Sequence, residues 1–193
     1  EETGILIVPP VPAYYKEKFN VMRLSMNRLK RYTLAGIIFV SVMGTLLHFL
    51  YQLSGNSFLV GLFAPVGEST WEHIKLLFFP MLFYSLWMAV RLRKEEPGVI
   101  SALAVGNLVG CALIPIIFYT YSGVLGFHLL SLDIITFLVS VLAAFVLALR
   151  LTPKGKIRKY EPVLVAVIAL IAVLFFVFTY CPPEIGLFAE PGI

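Results

Sequence analysis

Five apolar runs, each about 20 residues long, constrain this chain more than any other feature. They cover roughly residues 32–53, 71–90, 98–119, 131–151 and 161–180. In hydrocarbon the backbone has no water to bond, so a spanning segment must satisfy its own amides and carbonyls as a helix or in a closed barrel. The runs are continuous rather than alternating over ten residues, which selects helices. Composition agrees: 60% of the 193 residues are hydrophobic and 13% are charged, against about half and a quarter in a soluble domain. The fold class is therefore all-α, an integral membrane bundle of five transmembrane helices.

Charge sets the topology. Every lysine and arginine except Lys75 precedes the first run, lies between the second and third, or lies between the fourth and fifth. By the positive-inside rule those segments are cytoplasmic. The amino terminus is then cytoplasmic, the carboxyl terminus extracytoplasmic, and the protein a multi-pass resident of the cell membrane. Residues 16–31 set Phe19, Met22, Met26 and Leu29 on one stripe among Lys16, Lys18, Arg23, Arg28, Lys30 and Arg31. Such a basic amphipathic segment suits an anionic lipid surface. Residues 1–15, with Pro9, Pro10 and Pro12, read as an extended arm or a processed start, with Met22 and Met26 as alternative starts. The tail over 181–193, with Leu187 and Phe188, is expected to fold back as a lid over the bundle mouth. Cys111 and Cys181 match no disulfide framework or CxxC metal motif.

The stretch from Leu47 to Pro80 carries the chemistry. His48 lies about five residues inside the first span, and Glu68, Glu72, His73 and Lys75 stand at the outer entrance of the second. His128 falls in the next outer loop, and Asp133 opens the fourth span. All three histidines thus meet at one membrane boundary, where ionisable groups are costly and mark function. Ser41, Thr45, His48 and Gln52 form one helical stripe, and Asp133, Thr136 and Ser140 another. The expected pocket opens outward between spans 1, 2 and 4 and is floored by Asn107 on span 3. The ladder Ala102, Gly106, Gly110 serves internal packing or a homodimer equally well.

Several of these residues also have a purely structural explanation. Ser69-Thr70-Trp71-Glu72 matches a capping box, and Glu72 with Lys75, three apart, can form only an ion pair. Glu68 and His48 have no such excuse. Three functions fit. A divalent metal (Zn, Fe or Mn) can be held by His48, His73 and Glu68 with His128 or Asp133. Glu68, Glu72 and His73 can act as catalytic acid–base groups on a lipid or envelope substrate. Glu68 and Glu72 can instead carry protons, ions or small solutes in a transporter. A binding, sensing or assembly role without turnover is the remaining class. No Walker loop or GxGxxG follows a strand, so neither nucleotide nor nucleic acid is expected as a partner.

The segments APVGESTWEHIKLLFFP, after HFLYQLSG, and the closing PPEIGLF resemble a family of small bacterial and archaeal membrane proteins catalogued as a domain of unknown function. The resemblance covers roughly Thr33 to Ile193 and is most specific over Glu68 to Lys75. It implies a small polytopic membrane protein and brings no activity with it. Membrane-protease signatures with paired glutamates, EExxxR or EExxxK, are not matched, since only the Glu72-His73 pair is present.

Overall fold

The structure, a computed structural model, describes residues 13–153 and 155–190, with side chains for residue 20 and from 22 onward. Most of the arm expected over 1–15, the side chains of Lys16 and Lys18, Lys154 and the last three residues of the tail lie outside the described residues. Helix α1 runs Ala13–Leu53 without a break. The basic segment and the first span are one rod, because no proline occurs between Pro12 and Pro65 to stop it. A one-turn helix, α2, covers Phe58–Gly61. The chain reaches it through Gly55 and Asn56, both left-handed at φ 71° and 59°, a conformation that glycine and asparagine reach at least cost.

Helix α3 is Thr70–Leu92, begun by the Ser69 hydroxyl accepting from the Glu72 amide at 3.3 Å. Helix α4, Val99–Leu125, ends on left-handed Gly126. Helix α5 is Leu130–Leu151. A 3-10 turn over Arg158–Tyr160 leads into α6, Glu161–Tyr180. Five helices, all but α2, are long and apolar enough to cross a membrane, and the described residues contain no strand. Leu34, Ile38, Val42 and Leu46 on α1, with Val163, Leu170, Val173 and Val177 on α6, are exposed. Apolar surface on that scale belongs against hydrocarbon.

Small residues govern how closely the helices approach. A Cβ on Gly106 would stand 2.5 Å from the Ala144 carbonyl, and one on Gly110 would stand 2.9 Å from the Ala144 methyl. The small-residue ladder of α4 is thus used against α5 within the chain. At one end of the bundle Ser25 and Arg28 of α1 donate to Glu96 and Glu95 of the α3–α4 turn, and Gly98 abuts Thr152 and Gly155. The charged connectors share that end. The opposite end gathers the α1–α3 connection, the α4–α5 turn and the tail. There the tail folds back over α3: Trp71 N donates to Leu187 O at 3.0 Å, and Tyr119 donates to Gly186 O at 3.1 Å. The Trp71 ring packs between Phe175 and Phe188, at 4.5 and 4.9 Å.

Candidate metal centre

His48 and His73 meet because α1 and α3 touch one turn away from them. Pro80 has no amide hydrogen, so the Leu76 carbonyl loses its partner within α3. Gly44 fills that gap. A Cβ there would stand 2.5 Å from the Leu76 oxygen and 2.5 Å from the Phe137 ring, so only a Cα hydrogen fits, in a close Cα–H···O contact. Four residues after Gly44 stands His48, and three before Leu76 stands His73. Their ring centroids are 5.4 Å apart.

Glu68 completes the group from the loop that enters α3. Its Oε2 is 3.5 Å from His73 Nε2, and one donor atom from each of His48, Glu68 and His73 lies within 4.8 Å of the other two. The chemistry of the donors suits a metal. His73 Nδ1 sits 3.0 Å from the Ser69 carbonyl. A carbonyl only accepts, so Nδ1 carries the hydrogen and leaves the Nε2 lone pair facing Glu68. His48 Nδ1 is buried with no hydrogen-bond partner among the described residues, an arrangement native structures rarely leave unexplained. Tetrahedral ligands at about 2.1 Å stand about 3.4 Å apart, so no pair has to close by more than roughly 1.4 Å. The Glu68 side chain is 61% exposed and free to adjust.

Two cavities flank the group. One, of about 300 Å³, is lined by His48, Glu68 and His73, by His128, Asp133, Thr70 and Thr136, and otherwise by apolar side chains from α3, α4 and α5. The other, of about 290 Å³, shares His48 and Glu68 and is completed by Tyr51, Gln52, Asn56, Pro65, Val66 and Gly67. His128 and Asp133 reach the first cavity without joining the three-donor group. They pair with each other, Nδ1 to Oδ2 at 3.5 Å, and Asp133 also accepts from Tyr121.

The other residues expected here stand elsewhere. Glu72 and Lys75 line neither cavity. Both are buried, and Lys75 Nζ donates to Glu72 Oε2 at 2.7 Å, to Gly61 O at 3.0 Å and to Thr179 Oγ1, filling all three ammonium hydrogens. Glu72 Oε2 also accepts from Val66 N at 2.8 Å. These two residues tie α3 to the preceding loop and to α6, and a carboxylate so engaged is a poor candidate for catalysis or carriage. Asn107 does not floor the pocket. It donates to Phe78 O at 3.3 Å and faces a separate cavity of about 140 Å³ against α6. Thr45 donates to the Ser41 carbonyl at 2.9 Å, so its hydroxyl serves its own helix; Ser41 lines neither cavity, and Gln52 lies on the polar cavity alone. Tyr121 escaped sequence reasoning. Its only trace there is its place across a short turn from Asp133.

Residues 21–191 match the model of a family of unknown function (DUF6512). The match begins about a turn and a half before Met26, upstream of the Thr33 at which the resemblance was placed. No curated protein and no solved structure matches the chain.

Proposed function

We propose that this chain, which belongs to that family of unknown function, is a membrane-embedded, metal-dependent hydrolytic enzyme acting on an amphipathic substrate. The observation that carries the reading is the three-donor group of His48, Glu68 and His73 at the edge of a largely apolar cavity. Two imidazoles and a carboxylate are a zinc-type donor set, and a metal held by them would supply an activated water. His128, paired with Asp133 in the same cavity, would be placed to accept a proton there. The transport reading loses one of its two carriers, because Glu72 is held by Lys75 and Val66 N.

The basic end of the bundle is read as cytoplasmic and the metal-binding end as extracytoplasmic, in a cell membrane. An open groove lined by Arg28, Lys30 and Arg31 on α1 suits anionic headgroups at the cytoplasmic surface. The test is turnover of long-chain acyl esters presented in mixed micelles. We expect hydrolysis that a chelator abolishes, zinc or manganese restores and His73→Ala lacks. If the protein cleaves no ester and instead moves protons or ions into liposomes in a Glu68-dependent manner, the enzyme reading is wrong.

A further inference from the structure

The three-donor group sits at the junction of two unlike cavities, and their linings specify the substrate. On one side, Leu76, Ile114, Phe118, Leu130 and Phe137 supply an apolar wall. On the other, the side chains beyond the shared His48 and Glu68 are mainly neutral hydrogen-bonding groups, Tyr51, Gln52 and Asn56. Both volumes stand at the small end of the range for ligand sites. A molecule lying across the junction needs a short apolar chain at one end and a polar head at the other.

Charge narrows the head. Among the described residues no lysine or arginine lines either cavity, and Lys75 of α3 has its three hydrogens engaged. An anionic head therefore finds no protein cation. Asp133, in the apolar cavity, is already engaged by His128 and Tyr121. We infer that the paired cavities bind a hydroxyl- or amide-bearing amphiphile without an anionic head, its head among Tyr51, Gln52 and Asn56 and its chain along Leu76, Phe118, Leu130 and Phe137. The inference deepens the enzyme reading above, because it places the bond joining head to chain beside His48, Glu68 and His73.

Binding can be measured without turnover. The full chain in amphipol is immobilised, and saturable binding of tritiated monolauroylglycerol is compared with that of lauroyl lysophosphatidate, which has the same chain and an anionic head. We expect the glycerol head to be preferred by about ten-fold or more. Gln52→Leu with Asn56→Gly should weaken it by about ten-fold, as loss of two neutral hydrogen bonds implies. Asn56→Gly removes the amide at a position of positive φ that glycine adopts freely, so the variant keeps its fold. Leu130→Trp, at an exposed position, should obstruct the apolar side and abolish binding. Absence of saturable binding, equal or tighter binding of the phosphate head, or indifference to the Gln52/Asn56 pair would each overturn the inference. Metal content is read in the same samples. Metal without amphiphile binding sinks this inference alone, and amphiphile binding without metal sinks the metal reading alone.

Discussion

Gly44 is the residue on which the site most depends. The missing side chain lets α1 reach the carbonyl that Pro80 frees, and that approach brings His48 to His73. Gly44→Ala should cost about 1–3 kcal/mol through overpacking and lower metal content, read by thermal unfolding and elemental analysis. Gly123→Ala is the control. It lies in α4 with nothing within 4 Å of the added methyl, so it should be neutral or slightly stabilising. Lys75→Met should be far more damaging, by ~3–5 kcal/mol, because it leaves the buried Glu72 carboxylate without its cation. Adding Glu72→Gln should restore most of the thermal stability. If the double variant is no better than the single one, the pair is not the coupled unit described. His48 and Glu68 were legible in sequence because nothing local explains an ionisable group there. Thr179 was not, since it reaches Lys75 from 104 positions away.

At the scale of elements, hydrophobic run length revealed the five long helices, since about 20 apolar residues are needed to cross hydrocarbon. Periodicity was a weaker guide. It set Ser41 and Thr45 on the His48 stripe, but a helical stripe gives direction and not depth: neither lines a cavity of the site, and Thr45 bonds its own backbone. Asn107 was assigned to the right helix and the wrong cavity for the same reason. The tail is the element with the clearest test. Its contacts to Trp71 and Tyr119 are a backbone hydrogen bond, a side-chain hydrogen bond and the Phe188 ring. Truncation after Pro183 should lower the thermal midpoint and shift Trp71 fluorescence to the red as Phe188 is removed. An unchanged midpoint and spectrum would mean that the tail does not hold α3.

The whole molecule has one division of labour. Apolar helix faces meet lipid, small residues draw α1 to α3 and α4 to α5, and the polar groups are split between a closed buried network and an accessible donor group. Glu72 and Lys75 belong to the first. His48, Glu68 and His73 belong to the second, and imidazole binds metal only when unprotonated, so acidification should release the metal. The most direct test is metal content of the full chain purified in detergent without chelator, beside His48→Ala, His73→Ala and Glu68→Gln. Near-stoichiometric zinc, iron or manganese in the parent protein, lost in both histidine variants and reduced in Glu68→Gln, is the predicted result. A parent protein without metal that takes up none on addition, or one whose metal survives loss of either histidine, would contradict the account.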